Sequence, residues 1–400
     1  MERNDQMNSV AVQGVFRLIK SALTGQRLPL PEGFDLEQAQ DLLKKHKIEN
    51  IVYYGAVNCG IDPKTEVMKG LFSTTFKCLY AHERQQREAE QLLRCFEEQG
   101  IDHMPLKGML TKKLYPRSDM RIMGDADILI RMEQYGRIKP LLEQLGFTEK
   151  LESDHELIWV KPGLYLELHK RLIPSYNYDY AAYFGDGWRL ARPCADKPCR
   201  YELSAEDHLV YLFTHFAKHY RDGGIGIRHL TDLYVFRNAY PQLDEAYVQR
   251  ELQVLQLDVF YSNICAALEH AFDDGPGNQV TDLIISTVLG SGLYGTKEQH
   301  IAAAGVREKA SGNTIGQAKR NRWLRLALPP YSVMREKYPI LEKAAILLPV
   351  MWVVRWCSAL GTKKQAIRSQ QDRMRMMTKS RVDHYEQALQ AVGLAFHFEE

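Results

Sequence analysis

The spacing of apolar residues divides the chain into a helical first part, a mixed middle part and a helical last part. Apolar residues recur every three to four positions over 10–23, 36–46 and 64–99, a spacing typical of amphipathic helices. The same spacing returns in the second half of the chain, at 207–220, 228–240, 244–254 and 260–272. We therefore predict a helical region at 1–100 and a larger helical region at 201–400.

The middle part, 101–200, changes to short apolar runs and alternating patterns, which are typical of strands that bury one face. Short strands are predicted at 101–106, 125–130, 147–151, 156–160 and 164–168, with helices at 109–114 and 133–145. A loop rich in Tyr, Gly and Pro is predicted at 174–199, and a polar, mobile segment at 290–305. This order of elements predicts an α+β protein with its sheet in the middle of the chain.

The composition is that of an ordinary globular protein. The 400 residues include 45% hydrophobic and 26% charged residues, and the length favours two or three domains. The formal net charge of +2 provides no global field for nucleic acid or acidic lipid. The seven cysteines form no CxxC pair and are interpreted as reduced thiols. Since no signal-peptide pattern stands at the N-terminus, a cytoplasmic location is expected.

The most apolar stretch of the chain lies at 344–354. It is interrupted by Pro349 and is too short to span a bilayer. A buried or interfacial helix is therefore expected there, and no membrane span.

The most informative chemistry lies at the start of the strand predicted at 125–130, where Asp125 and Asp127 stand two residues apart. Residues i and i+2 of a strand point to the same face, so the two carboxylates would project together. Two like charges at that distance repel, and a divalent cation is the simplest way to keep both ionised. The pair is a candidate metal site.

A third carboxylate is available on the strand predicted at 164–168. Strict alternation there places Glu167 and His169 on the face opposite the leucines. A cluster of three carboxylates suits Mg²⁺ or Mn²⁺, which bind oxygen ligands together with substrate phosphates. Cations and a glycine turn for phosphate lie upstream, at Lys107, Gly108, Lys112, Arg117 and Arg121.

Four stretches of this region resemble a known family: Pro105-Leu106-Lys107-Gly108, Leu114-Tyr115-Pro116, the run from Arg121 to Ile130, and Glu167-Leu168-His169. They look like bacterial uncharacterised nucleotidyltransferases of the polymerase-β-like superfamily. The common turn of that superfamily is Gly-Ser or Gly-Gly, whereas this chain has Lys107-Gly108-Met109. The resemblance implies a nucleotidyltransferase-type mixed sheet at 101–200, with Asp125 and Asp127 as Mg²⁺ or Mn²⁺ ligands and Glu167 as the third carboxylate. Nucleotide contacts are assigned to Lys107, Gly108, Arg121 and Gly124.

The helical part after the sheet resembles the family's second part more loosely. His215 and His219 stand one helical turn apart, and Phe216 replaces the glutamate that a metalloprotease zinc motif requires between them. These histidines, with His169 and Arg228, are candidates for lining the cleft. Arg228 and Asp232 stand four residues apart and predict a helical ion pair.

The expected function is Mg²⁺-dependent transfer of a nucleoside monophosphate from an NTP to an unidentified hydroxyl-type acceptor, such as a small molecule, a peptide or a protein. The alternative is a nucleotidyltransferase-like scaffold that binds a nucleotide or a protein without turnover. Retention of a repulsive carboxylate cluster argues against the scaffold. The near-neutral charge and the lack of a basic and aromatic strip argue against a nucleic-acid acceptor.

Overall fold

A mixed β-sheet forms the centre of the protein. The computed structural model describes residues 2–362 and 372–397. Its strands are β1 His103–Pro105, β2 Ala126–Ile130, β3 Thr148–Glu152, β4 Glu156–Lys161, β5 Leu164–His169, β6 Arg192–Cys194 and β7 Lys197–Glu202. Their order across the sheet is β3-β4-β5-β2-β1-β7-β6. β2 runs parallel to β5 and β1 parallel to β7, whereas the other neighbouring strands are antiparallel.

Helices precede the sheet, connect its strands and follow it. The helices up to residue 291 are α1 Glu2–Thr24, α2 Gln40–His46, α3 Glu49–Asn58, α4 Glu66–Glu98, α5 Gly108–Thr111, α6 Tyr135–Gln144, α7 Tyr178–Phe184, α8 Ala205–Arg221, α9 Ile227–Ala239, α10 Glu245–Val254, α11 Asp258–Asp273 and α12 Gln279–Ser291. Later helices include α13 Lys297–Ala310, α14 Ile315–Ala327, α15 Tyr331–Lys337, α16 Ile340–Lys343, α17 Leu348–Thr362 and α18 Lys379–Ala391. This architecture is the predicted α+β fold, which is therefore confirmed.

The described residues divide into two compact units. The first contains the sheet and comprises the residues up to Tyr220, Gly224–Gly295 and Val392–Leu394. The second comprises Arg221–Gly223, the described residues from Thr296 to Ala391 and those after Leu394. No helix among the described residues is both long enough and apolar enough to cross a membrane.

One face of the sheet packs against the long helix α4. Leu92 and Phe96 of α4 belong to one buried cluster with Ile128, Ile130 and Leu166 of the central strands. Because side chains alternate along a strand, this burial directs Asp127 and Glu167 to the opposite face. The apolar half of each alternating strand thereby determines which face is free for polar chemistry.

Two connecting segments were predicted wrongly. The segment 174–199 contains α7, β6 and the start of β7 rather than a loop. Within 290–305, only the residues between Ser291 and Lys297 lie outside helices. There the Thr296 hydroxyl accepts a hydrogen bond from the Gln299 amide (3.2 Å), and the Gln299 side chain accepts one from the Thr296 amide (2.8 Å). This capping box starts α13, and its spacing was readable in the sequence.

The apolar stretch at 344–354 is helical from Leu348 onward, but it is not buried within its unit. Ile346 is 88% exposed, Val350 53% and Val353 51%. The buried alternative for this segment is therefore wrong, and the interfacial alternative stays a prediction. All seven cysteines are free thiols in the structure.

A buried histidine of the first unit predicts acid sensitivity. His46 is fully buried, its Nδ1 accepts the Ile227 amide hydrogen (3.2 Å), and its Nε2 donates to the Leu289 carbonyl (3.3 Å). This arrangement requires the neutral ring, and burial lowers the pKa of His46 to about 4 from 6.5. The unfolded chain therefore binds the proton first as the pH falls. We expect the free energy of unfolding to decrease by about 3 kcal/mol between pH 6.5 and 4 on account of His46 alone.

The contribution of His46 is measured by comparing the wild type with His46→Gln, which does not titrate. Burial also lowers the pKa of His208 to about 4 and of His229 to about 3, so both proteins will lose stability in acid. The difference between their unfolding free energies should narrow as the pH falls from 6.5 to 4. Parallel profiles over this range would contradict the assignment.

Candidate active site

The polar face of the central strands brings two carboxylates and a histidine together. In the parallel pairing of β2 with β5, Asp127 is the register partner of Glu167, and Leu129 is that of His169. Glu167 and His169 lie two residues apart and therefore share a face. One ligand atom from each of Asp127, Glu167 and His169 lies within 4.8 Å of the other two.

Asp127 is the centre of this group. Its Oδ1 accepts hydrogen bonds from Lys107 Nζ (2.7 Å) and His169 Nε2 (2.8 Å), and its side chain is almost fully buried. The Glu167 carboxylate lies farther from the histidine, with 3.8 Å between Oε2 and Nε2. Both short contacts of Asp127 end on Oδ1, and the second carboxylate oxygen takes part in neither.

The two carboxylates titrate in opposite directions. Although burial alone would raise the pKa of Asp127, the Lys107 ammonium and the hydrogen bond from His169 hold it below its usual range. Burial, followed by the charges of Asp127 and Asp125, raises the pKa of Glu167 to about 8. The face thus has more carboxylates than Lys107 alone can keep ionised. A divalent cation would relieve this imbalance, so the carboxylates present fit a Mg²⁺ or Mn²⁺ ion.

Lys107 reaches Asp127 from an unusual turn. Its backbone has φ 44° and ψ −119°, a conformation that L-residues rarely adopt and that costs about 1–3 kcal/mol. The Leu106 amide donates to the Asp127 carbonyl (2.9 Å), which extends the pairing of β1 with β2 up to this turn. The Lys107 carbonyl then accepts from the Leu110 and Thr111 amides at the start of α5. The strain is retained where it positions the lysine against the carboxylate.

Asp125 lies just before β2 and is half-buried. It is outside the group of ligand atoms that Asp127, Glu167 and His169 form. Burial and then the charge of Asp127 raise the pKa of Asp125, and Asp125 in turn raises that of Glu167. The two aspartates therefore act on each other electrostatically, while Asp127 has the direct contacts.

Arg121 forms a buried ion pair with Asp232. Its Nε donates to Asp232 Oδ1 (3.2 Å) and its Nη2 to Asp232 Oδ2 (2.9 Å), and Tyr115 donates to the same carboxylate (2.7 Å). Gly108 adjoins this pair, because a Cβ there would lie 2.7 Å from Arg121 Nη1. Gly124, in contrast, is exposed, and a Cβ there would meet nothing within 4 Å.

Helices α8 and α9 bring further polar groups to this unit. The ion pair predicted between Arg228 and Asp232 is replaced by the pairing of Asp232 with Arg121. Arg228 instead donates to the Ile122 carbonyl (3.2 Å) and to the Tyr294 hydroxyl (3.3 Å). It is thereby attached to the segment that leads into β2.

The histidines of α8 contact each other, with 3.1 Å between His215 Nε2 and His219 Nε2. Burial, then the His219 charge and then Lys107, lower the pKa of His215 well below its usual range. One turn earlier, burial raises the pKa of Tyr211, and the charges of Lys107, Asp127 and Glu167 act on it as well. Tyr211 was not identified from the sequence. Its helical position, four residues before His215, was the available signal.

The comparisons with known proteins agree with this chemistry. A family model described as an uncharacterised nucleotidyltransferase matches residues 32–273, more than half of the chain. No curated protein matches this chain. A similar solved structure is that of the antibiotic-resistance factor ANT(2'')-Ia, at 15% sequence identity, covering 47% of this chain and 96% of that one, with a TM-score of 0.31.

Proposed function

The chain belongs to the uncharacterised nucleotidyltransferase family, and from this premise we propose that it transfers a nucleoside monophosphate from an NTP to a hydroxyl group of an acceptor. The acceptor oxygen forms a bond to the α-phosphorus, the bond from that phosphorus to the bridging oxygen breaks, and pyrophosphate leaves. The observation that carries the proposal is that Asp127 and Glu167 are register partners on neighbouring strands, and that Lys107 donates a hydrogen bond to Asp127.

Asp125, Asp127 and Glu167 are proposed to hold Mg²⁺ or Mn²⁺. When bound, the metal supplies charge neutralisation for the triphosphate and for the oxygens of the displacement. Glu167 orients the acceptor hydroxyl and takes up its proton. His169 keeps Asp127 in place through the hydrogen bond to Oδ1, and its buried side chain excludes water from that side of the carboxylate.

Lys107 is proposed to neutralise phosphate charge, beside the turn at Gly108 and the exposed Gly124. Because the Lys107 ammonium is paired with the Asp127 carboxylate, Lys107 is held where the triphosphate and the carboxylates would meet. Arg121 is proposed to contribute through its pairing with Asp232, by fixing the Gly108 turn against α9. The side chains of His215, His219 and Arg228 are proposed to line the acceptor side of the cleft.

The proposal is tested by incubating the protein with Mg²⁺, each labelled NTP in turn, and pools of metabolites, peptides and RNA. We expect one pool to gain the mass of a nucleoside monophosphate, with one pyrophosphate released per transfer, and EDTA to abolish both signals. Mass spectrometry of the acceptors identifies the product. Nucleotide binding by calorimetry without turnover in any pool would favour a non-catalytic scaffold instead.

A further inference from the structure

A cavity with a basic wall lies on the other side of the sheet from the candidate active site. It has a volume of about 350 Å³ and is bounded by α4, by Pro105 of β1, and by the segment from Met109 to Lys113. Pro105 pairs with Ile128, whose side chain lies in the cluster packed against α4. Because neighbouring residues of a strand point to opposite faces, Asp127 faces away from this cavity.

The cavity wall is strongly basic. Five cationic side chains line it, those of Arg94, Lys112, Lys113, Lys197 and Arg200, against the two acidic side chains of Glu90 and Glu97. Glu97 is already paired, with Lys197 Nζ at 2.8 Å and Arg200 Nη1 at 3.7 Å. The wall therefore has more positive charge than its own acids balance.

Lys112 is the most unusual member of this set. It is only 5% exposed, yet its ammonium has no hydrogen bond or ion pair with any residue within 2–362 and 372–397. Burial, and then the neighbouring charge of Lys113, lower the pKa of Lys112 to about 8. The stem of Lys112 is buried, whereas its ammonium remains accessible from the cavity. An anion is the partner that this ammonium would take from the cavity.

We propose that this cavity, the Lys112 cavity, binds a phosphate group, either as free phosphate or as part of a small phosphorylated molecule, with Lys112 as its buried contact. Lys113 and Arg94 supply further positive charge at the wall. The volume is at the lower end of the range for small-molecule sites and exceeds what one phosphate ion fills. Apolar groups of Leu93, Pro105 and Met109 provide surface for a small organic part.

The test measures the melting temperature of the full chain in EDTA, without divalent metal, with inorganic phosphate or glycerol 3-phosphate as the probe. Both probes are expected to stabilise the wild type and the Asp127→Asn variant equally, because the Lys112 cavity does not involve the metal site. Lys112→Met should weaken the binding of either probe by about tenfold or more. Tighter binding of the ester identifies a phosphorylated molecule as the ligand, and tighter binding of inorganic phosphate identifies the free ion.

The unliganded variant supplies an independent readout. Lys112→Met should melt no lower than the wild type, because it removes a partly desolvated ammonium that lacks a partner among the described residues, whereas loss of a purely structural lysine would lower the melting temperature. Lys150→Met, at an exposed position of β3, is the matched control and should bind the probes as the wild type does. If Lys112→Met fails to fold, Lys113→Gln takes its place and should weaken the binding severalfold.

The proposal is overturned if neither probe stabilises the wild type, or if the cavity variants respond to the probes as Lys150→Met does. It is also overturned if Asp127→Asn changes the stabilisation by either probe, since that variant removes the charge paired with Lys107 and would alter anion binding at the candidate active site.

Discussion

Replacing Asp127 with asparagine is expected to reduce nucleotidyl transfer by about 10³-fold, because charge stabilisation by a bound metal is worth several kcal/mol and each 1.36 kcal/mol is a factor of ten in rate. Asparagine keeps the size of the side chain and an oxygen that can accept from His169 and Lys107. It removes the charge that Lys107 at 2.7 Å now neutralises. The measurement is the rate of pyrophosphate release on folded protein at saturating NTP and Mg²⁺.

A matched control variant shows whether the loss of activity comes from the candidate metal site or from breaking an ion pair in general. Asp102 precedes β1 and accepts a hydrogen bond from Arg131 Nε at 2.9 Å, so Asp102→Asn also breaks a carboxylate pair beside the sheet. We expect that variant to retain the wild-type rate within about twofold, because Asp102 is no member of the ligand group formed by Asp127, Glu167 and His169. If Asp127→Asn keeps more than a tenth of the activity, Asp127 is not a metal ligand.

Glu167→Gln extends the same test to the neighbouring strand. Its Mn²⁺ affinity, measured by calorimetry without nucleotide, should fall together with that of Asp127→Asn, because the two carboxylates are register partners. A Glu167→Gln protein that binds Mn²⁺ as the wild type does would leave Glu167 outside the metal site.

Elements with strong local periodicity could be predicted from the sequence, and elements held by distant partners could not. The helix predicted at 64–99 is α4 Glu66–Glu98, and the strand predicted at 164–168 is β5 Leu164–His169. β7 was missed because Lys197–Glu202 has no alternation of apolar residues and contains a proline, although it pairs with the adjacent β6 as well as with β1, where Arg200 meets His103 almost 100 residues earlier. Strand formation depends on such neighbours more than on intrinsic propensity.

The same limit applies to the candidate site. Alternation along β5 predicts that Glu167 and His169 share a face, and the leucines that alternate with them, Leu164, Leu166 and Leu168, are buried on the other face. Alternation along one strand does not indicate which strand pairs with it, so the contact of His169 with Asp127 could not be predicted. The partner of Arg121 was equally hidden, since Asp232 lies 111 residues away. The four-residue spacing predicted Arg228 as the ion-pair partner of Asp232, whereas in the folded protein the partner is Arg121.

This pairing leads to the largest expected effect on stability. The Arg121 and Asp232 side chains are 11% and 5% exposed and meet through two hydrogen bonds. Arg121→Met would leave the buried Asp232 carboxylate with the Tyr115 hydroxyl as its remaining short contact. Removing one partner of a buried ion pair costs about 3–5 kcal/mol, because the other charge stays desolvated. We expect a loss of that size in the unfolding free energy, measured by calorimetry.

The double variant Arg121→Met with Asp232→Leu distinguishes a positioning residue from a nucleotide contact. Removing both charges relieves the unpaired carboxylate, so most of the stability should return, and the double variant should cost less than the sum of the two single variants. Arg17→Met, which breaks the exposed pair with Asp274 at 2.7 Å, is the control and should cost at most about 1 kcal/mol. If Arg121→Met keeps the wild-type stability but loses NTP affinity, Arg121 contacts the nucleotide directly. If stability falls and the double variant restores it, Arg121 acts by fixing the Gly108 turn and the entry to β2 against α9.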